Sequence, residues 1–424
     1  MTAVLVATYA RVVEKATNWR FRALPLLLLV PLVAVAATAV VALSAGGRNA
    51  EIPLAPAAMA GGLHPMAGSF VPDGTALEEC ASADFACLEQ ALGNVAYARG
   101  PRSALALVDA RLAEDEGFAA NCHRIVHVIG SASLARAHGD VAKAFTQGSP
   151  TCASGYYHGI LERAFIGVTT RAKLAERARS LCDTAGVRRF GYLDRQCRHG
   201  LGHGLMIQTG YDLPTALAIC AGLPTRWDHL TCSNGVFMEN ADTRFGFRSR
   251  WLDDEDPLYP CREVTGLDRR HCYARVPTLA LRRNGGSYAG AAATCSSLAA
   301  PWSRYCFRGL GRDAVDFRFV RARTLERCAL AGDGGADCLF GAARYVSDRL
   351  GPEGRSGGAG FCRAARADVR DACFAGVGSA LGLVEATNPA RRRACAAIAP
   401  AHVDACTRAA IAEVDPNASP LAWG

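Results

Sequence analysis

The chain has 424 residues, of which 50% are hydrophobic and 20% are charged. This composition excludes an intrinsically disordered protein, and the length predicts about two or three folded domains. The formal net charge of +8 is modest for this length, and no basic run alternates with aromatic residues. The sequence therefore argues against a nucleic-acid-binding protein.

The first structural signal is an apolar segment, residues 23–45, that contains no charged residue. A membrane-spanning helix needs about 20 apolar residues, and basic residues before it favour a cytoplasmic N-terminus. We therefore predict a cytoplasmic segment at 1–22, a single transmembrane signal-anchor at 23–45, and a periplasmic or extracellular chain beyond it. A cleaved signal peptide is the alternative, although its apolar region is usually about 7–15 residues long. Residues 46–75, rich in glycine, alanine and proline, are predicted to form a linker.

All 18 cysteines follow the apolar segment, and an even number of cysteines in an exported chain indicates disulfide bonds. The later cysteines form seven consecutive pairs with gaps of 10 to 15 residues, and the second member recurs about every 35 residues. That period is typical of helical-hairpin solenoids. The pairs are Cys182/Cys197, Cys220/Cys232, Cys261/Cys272, Cys295/Cys306, Cys328/Cys338, Cys362/Cys373 and Cys395/Cys406.

Each of these pairs brackets a turn signal near its midpoint, such as Pro301. Two cysteines at equal distances from the turn of an antiparallel helix pair face each other, so each pair is predicted to staple its own hairpin. We assign Cys80 and Cys87 to a first cap, and we expect Cys122 and Cys152 to pair between adjacent units. Structural zinc is the alternative use of these cysteines, but such sites use tight ligand pairs and the sequence has no C-x-x-C.

Six of the second helices are predicted to begin with Cys-x-x-Gly, in the stretches "CASG", "CRHG", "CSNG", "CFRG", "CLFG" and "CFAG". A glycine inside a helix costs about 1 kcal/mol relative to alanine, so its recurrence at one register predicts close approach of a neighbouring helix. The units at Cys272 and Cys406 lack the motif and carry Arg275 and Ala409 in place of the glycine.

The period and the cysteine pairing of residues 180–410 resemble those of the secreted cysteine-rich αα-repeat proteins related to tetratricopeptide repeats. This resemblance implies helical hairpins closed by one disulfide per repeat, and a role in binding proteins or peptides. The predicted fold is all-α: a solenoid of disulfide-stapled helical hairpins, with a period of about 35 residues, behind one N-terminal transmembrane helix. We predict His-rich repeats at 76–240, Cys-paired repeats at 241–415 and a tail at 416–424.

Five of the ten histidines fall in three short stretches that each follow a cysteine: "CHRIVHVIG", "CASGYYHGILE" and "CRHGLGHGLM". Each stretch places two polar residues four apart. Residues four apart share one helix face, and two imidazoles so placed can hold one metal ion. The three spaced pairs are His123 and His127, His158 and Glu162, and His199 and His203.

Alignment on the Cys-x-x-Gly motif places His158, His203 and Met238 at the same position, six residues after the cysteine. Equivalent positions of stacked repeats line one surface, so we expect these three side chains to lie next to each other. Glu162 and Glu239 are predicted near the same rim. The predicted metal ligands are therefore His123, His127, His158, His199, His203, Glu162, Glu239 and Met238.

The ligand types suit three metals. Histidine with methionine suits copper, and histidine with glutamate suits zinc or iron. Two neighbouring ions can support hydrolysis or redox chemistry, with Glu162 or Glu239 as a ligand or general base. The alternatives for the histidines are a structural ladder, in which each imidazole caps a carbonyl of the next hairpin, and a pH-sensing role.

Two functions fit these observations. The first is a membrane-anchored extracytoplasmic protein that binds a metal ion through its histidines, with a metalloenzyme as one version. The second is a non-catalytic αα-repeat scaffold that binds a protein or peptide on its concave face. The first requires at least three of the imidazole rings to converge within about 5 Å, because each must reach a metal at about 2.0–2.1 Å. The second allows the rings to point apart.

Overall fold

The computed structural model of the protein describes residues 68–112, 114–189, 191–242, 249–316, 319–349 and 354–414. The predicted transmembrane segment, most of the predicted linker and the predicted tail lie outside these ranges. Within them the chain is all-α and contains no β-strand, which confirms the predicted fold class. No helix in the described ranges is both long enough and apolar enough to cross a bilayer.

Nineteen α-helices follow one another in the described part of the chain. They are α1 (Phe85–Arg99), α2 (Pro101–Leu112), α3 (Glu116–Arg136), α4 (Val141–Phe145), α5 (Gly155–Arg163), α6 (Arg171–Thr184), α7 (Tyr192–Gln208), α8 (Leu213–Ala221), α9 (Arg226–Ala241), α10 (Arg269–Tyr273), α11 (Val276–Arg283), α12 (Tyr288–Ser296), α13 (Trp302–Asp313), α14 (Arg321–Ala329), α15 (Gly335–Arg349), α16 (Gly354–Ala364), α17 (Arg370–Gly382), α18 (Asn388–Ile398) and α19 (Val403–Ala412).

One helix of each repeat packs against its counterpart in the next repeat, and these helices form an inner row. The row runs through α3, α5, α7 and α9 and continues through α13, α15, α17 and α19. Between the two parts, α10 and α11 take the place of a single second helix, and both contact α13. The other helices flank this row. The described residues thus have the architecture of a cysteine-rich helical repeat protein.

Nine disulfide bonds staple the described chain, with Cα–Cα distances between 5.3 and 5.7 Å. Seven close the hairpins at the predicted cysteine pairs, and the predicted Cys122–Cys152 bond is also present. Cys80 bonds to Cys87. The later second helices begin several residues before their cysteine rather than at it, as α7 does with Cys197. Nine disulfides indicate an oxidising, extracytoplasmic environment.

The recurring glycines allow the backbones of the inner row to touch. A Cβ atom at Gly235, on α9, would lie 2.0 Å from the carbonyl oxygen of His199 on α7. A Cβ atom at Gly159, on α5, would lie 1.8 Å from the carbonyl oxygen of His127 on α3. Real Cβ atoms essentially never approach other atoms within 3.0 Å, so only glycine fits at these crossings. The predicted close approach is therefore correct, and it brings side chains of adjacent inner helices into contact.

Candidate metal centre

Four consecutive helices of the inner row carry the predicted histidine and glutamate ligands. Helix α3 carries His123 and His127, α5 carries His158 and Glu162, α7 carries His199 and His203, and α9 carries Glu239. His123 is half-buried and the other six side chains are buried. The spacing of four residues points both residues of each pair towards the neighbouring helix, and the glycine crossings shorten the distance between helices.

The first histidine pair has its two Nε2 atoms facing each other. Nδ1 of His123 lies 2.7 Å from the carbonyl oxygen of Cys152, and Nδ1 of His127 lies 2.5 Å from Oε1 of Glu162. Both partners are acceptors, so in the neutral rings both Nδ1 atoms carry the hydrogen and both Nε2 atoms carry a lone pair. The two Nε2 atoms are 3.2 Å apart. Two nitrogens that each lie about 2.0–2.1 Å from one tetrahedral ion are separated by roughly 3.3 Å.

The second histidine pair repeats this arrangement. Nδ1 of His203 lies 2.8 Å from Oε2 of Glu239, and Nε2 of His203 lies 3.3 Å from Nε2 of His199. The hydroxyl of Tyr211 donates to the other oxygen of Glu239 at 2.6 Å. Nδ1 of His199 is buried and has no hydrogen-bond partner among the described residues. The two pairs therefore share the separation of their Nε2 atoms and a carboxylate behind the second imidazole, and they differ at Nδ1 of the first.

His158 lies between the two pairs. Its ring centroid is 4.7 Å from that of His203 and 4.9 Å from that of His199. The corresponding distances to His123 and His127 are 5.3 and 5.4 Å. The ligand atoms of His158 and the first pair lie within 4.8 Å of one another, and so do those of His158 and the second pair. The geometric condition set by the metal hypothesis, convergence of at least three imidazoles, is met twice.

Burial keeps the central imidazoles in the form that binds metals. Removal from water lowers the pKa of His158 well below its usual range, and the neighbouring histidines, His203 first, lower it further. Burial and His203 lower the pKa of His199 in the same way. Both rings are therefore neutral at pH 7, and a neutral imidazole has a lone pair for a metal ion.

The two glutamates lie on the Nδ1 side of the imidazoles, away from the paired Nε2 atoms. A carboxylate that accepts the Nδ1 hydrogen of a metal-binding histidine fixes the ring orientation and raises the basicity of Nε2. This position favours an orienting role over the predicted roles of ligand or general base. Ligand atoms of Glu162, His203 and Glu239 nevertheless lie within 4.8 Å of one another and form a third group that can hold an ion.

A cavity of about 590 Å³ adjoins the cluster, and His123, His158 and His199 form part of its wall. The half-buried Met238 lines the same cavity. His158 and His203 are neighbours, as their common register predicted. Coordination by Met238 stays a prediction.

Sequence reasoning missed several residues of this region. Gln196 places Oε1 3.3 Å from Nε2 of His158, and Tyr211 supports Glu239. The largest omission is a set of arginines across the cavity, among them Arg308 and Arg312. The signal for them was in the sequence, because they lie two and six residues after Cys306, at the positions that His199 and His203 occupy after Cys197.

No protein-family model matches this sequence, and comparisons with curated proteins and with solved structures find no match either. The repeat architecture therefore stands on the helix packing and the disulfides alone, and the chemistry of the site stands on its geometry.

Proposed function

We propose that this protein is an extracytoplasmic metalloprotein whose histidine cluster binds two transition-metal ions, one on each histidine pair. The observation that carries the proposal is the duplicated geometry. In each pair the Nε2 atoms lie 3.2 or 3.3 Å apart, while a buried carboxylate holds Nδ1 of the second histidine. In the first pair both Nδ1 atoms face acceptors, so the neutral rings direct two lone pairs at each other, which cannot form a hydrogen bond but can share a cation. His158 serves as the third nitrogen at the centre of the cluster.

The donor set supports zinc or copper. Imidazole nitrogens suit both metals, whereas magnesium, calcium and manganese prefer oxygen ligands. The two glutamates bond to Nδ1 atoms behind the rings, which weakens the case for iron held by histidine and carboxylate together. A neutral His158 has one lone pair, so it can complete a three-nitrogen site for one of the two ions, and both ions would retain open coordination positions. Open positions are typical of catalytic rather than structural sites, so we propose a metalloenzyme.

The predicted scaffold function receives less support from the geometry. A cavity of about 590 Å³ is the size of a small-molecule pocket, and it lies against the inner helices where a concave peptide-binding face was expected. Binding of a protein or peptide partner stays a prediction. We also propose that residues 23–45 anchor the protein in the membrane, because this uncharged segment is longer than the apolar core of a signal peptide.

The test is metal content. The full-length chain, produced in an oxidising compartment, is analysed by inductively coupled plasma mass spectrometry after removal of loosely bound ions. We expect about two equivalents of zinc or copper per chain. His158→Ala and His203→Ala should each lose at least one equivalent, because each removes a nitrogen from a converging group.

The matched control is His138→Asn. His138 is exposed and has a left-handed backbone conformation, which asparagine tolerates. This variant should keep the wild-type metal content. A folded wild-type protein that contains no metal and takes up neither zinc nor copper would show that the proposal is wrong.

A further inference from the structure

The inner helices line the cavity at a fixed register. In the six consecutive repeats from Cys152 to Cys338, the residues two and six positions after the second-helix cysteine face the cavity, except His203, which lies in the cluster behind His158. In chain order these pairs are Ser154 and His158, His199 and His203, Asn234 and Met238, Ala274 and Thr278, Arg308 and Arg312, and Phe340 and Arg344. The same two positions thus supply histidine in the early repeats and arginine in the later ones.

This register gives the cavity a large excess of positive charge. Eight of its lining residues are arginines and four are carboxylates, an excess of four positive charges when its histidines are neutral, and one of the excess arginines, Arg308, is paired with Asp337 at 2.8 Å. The four carboxylates are each already paired with one arginine. These ion pairs are Arg195–Asp348, Arg282–Asp242, Arg312–Asp313 and Arg344–Glu413, at 2.7, 2.7, 2.7 and 3.0 Å.

Two of the remaining arginines, Arg270 and Arg275, have no carboxylate partner among the described residues. Nε of Arg275 is buried and makes no hydrogen bond within the described chain. Burial, followed by repulsion from Arg312, lowers the pKa of Arg275 to about 9. An unpaired guanidinium in a buried wall is unfavourable, and an anion in the cavity would compensate it.

Arg275 lies at a distinctive position of its repeat. It occupies the register position at which six other repeats carry glycine, and there the second helix is divided into α10 and α11. The close crossing with α13 is kept, since a Cβ atom at Gly309 would lie 2.1 Å from the carbonyl oxygen of Ala274, but at the glycine position of this repeat a long cationic side chain lines the cavity. The wall also contains apolar side chains, including Leu281, Val315 and Phe340, which suit the carbon skeleton of a ligand.

We propose that the cavity binds a small organic oxyanion with two or more negative charges, held by Arg270 and Arg275 and presented to His158 and His199. Guanidinium groups match the planar or tetrahedral oxygens of carboxylates and phosphates, and a volume of about 590 Å³ fits a small molecule. Presentation to a metal ion rests on the proposed function, whereas anion binding by the arginines does not depend on it.

The test is calorimetric titration of the full-length protein with pyrophosphate and, separately, with citrate, which distinguish phosphate from carboxylate ligands. We expect saturable binding of at least one of them that weakens as salt is added. Arg275→Gln should lower the affinity by about tenfold or more, because it removes a charge-assisted hydrogen-bond donor. Arg366→Gln, which changes an exposed arginine paired with Asp368, should leave the affinity unchanged.

A second pair of variants tests the same proposal if Arg275→Gln does not fold. Leu281 is half-buried and lines the cavity. Leu281→Glu introduces a competing carboxylate and should weaken binding, whereas Leu281→Gln, of the same size, should not. Equal affinity in all four variants, or no binding of either anion by the wild type, would overturn the proposal.

The same titration of the His127→Ala, His203→Ala double variant, which changes one histidine of each pair and none that lines the cavity, separates the two proposals. Retained oxyanion binding in a protein without metal supports the anion cavity independently of the metal centre. Loss of metal in that variant together with normal binding in the cavity is the expected result. Metal binding by a wild type that fails to bind either anion would leave the proposed function intact and exclude the anion cavity.

Discussion

Nδ1 of His203 lies 2.8 Å from Oε2 of Glu239, and both side chains are buried. The other oxygen of Glu239 accepts a hydrogen bond from Tyr211, so the carboxylate is held on both sides. This contact fixes which nitrogen of His203 carries the hydrogen and leaves Nε2 directed at His199. The glutamate would therefore act on a metal ion bound at Nε2 through the imidazole.

We predict that Glu239→Gln weakens metal binding without abolishing it. Loss of a carboxylate behind a metal-binding histidine typically lowers the affinity about 10–100-fold. The dissociation constant is measured by competition with a chromophoric chelator. Glu255→Gln, at an exposed glutamate far along the chain, is the control and should bind metal as the wild type does. An unchanged affinity in Glu239→Gln would contradict the orienting role.

The helix crossings support a prediction about packing. Gly159→Ala would place a Cβ atom 1.8 Å from the carbonyl oxygen of His127 and push α5 away from α3. We expect the free energy of unfolding to fall by about 1–3 kcal/mol or more, and metal affinity to fall as well, because the histidines on these helices separate. Urea denaturation and chelator competition measure the two effects.

Two other glycines serve as matched controls for Gly159→Ala. A Cβ atom at Gly378 would lie 2.0 Å from the carbonyl oxygen of Cys406, so Gly378→Ala should destabilise the fold similarly. Its metal affinity should be retained. Gly357→Ala makes only an ordinary contact at 3.5 Å and should stabilise α16 by roughly 0.5–1 kcal/mol. Equal metal affinity in all three variants would show that the α3–α5 crossing does not position the ligands.

The pKa shifts predict acid sensitivity of the metal-free protein. Burial lowers the pKa of His158 and His199 in the fold below the value of 6.5 expected in the unfolded chain. As pH falls through 6.5 the unfolded chain takes up protons that the folded protein does not, so stability decreases. Thermal unfolding after metal removal, followed between pH 8 and pH 5, measures this effect. A His158→Asn, His199→Asn variant should have a shallower pH dependence, and an identical slope would exclude these two residues as its cause.

The sequence predicted the architecture well because the cysteine period is a local, repeated signal. Equal distances of two cysteines from a turn were enough to predict the bond between Cys182 and Cys197. The convergence of the histidines could also be predicted from the sequence, since the i, i+4 spacing and a common register place His158 beside His203. The sequence could not predict on which side of each imidazole the glutamates lie. Whether Glu239 lies in front of or behind an imidazole depends on helix rotation, which the packing of neighbouring helices determines.

The arginine half of the cavity was missed for a different reason. Arg312 and Arg344 lie six residues after their cysteines, as His158 does, but a shared register alone does not show that the inner row encloses a cavity. That depends on how successive repeats curve. The contact that reveals the curvature is the ion pair between Arg195 on α7 and Asp348 on α15, at 2.7 Å, across three intervening positions of the inner row.

The Cys122–Cys152 disulfide connects the chain segment before α5 to α3, the helix with the first histidine pair. The carbonyl oxygen of Cys152 also accepts the hydrogen bond from Nδ1 of His123. We therefore predict that replacing both cysteines with alanine lowers metal affinity as well as stability. A loop of 30 residues gives about 3–4 kcal/mol of stabilisation in the chain-entropy description.

Replacement of Cys395 and Cys406 by alanine is the matched control. This pair closes a loop of 11 residues in the last hairpin, so its loss should reduce the free energy of unfolding by about 3 kcal/mol. Metal content should not change, because none of the predicted ligands lies on α18 or α19. Mass spectrometry of bound metal and urea denaturation of both double variants measure the two effects. If the two double variants lost stability alike and both kept full metal affinity, the hydrogen bond from His123 to Cys152 would have no part in holding the first histidine pair.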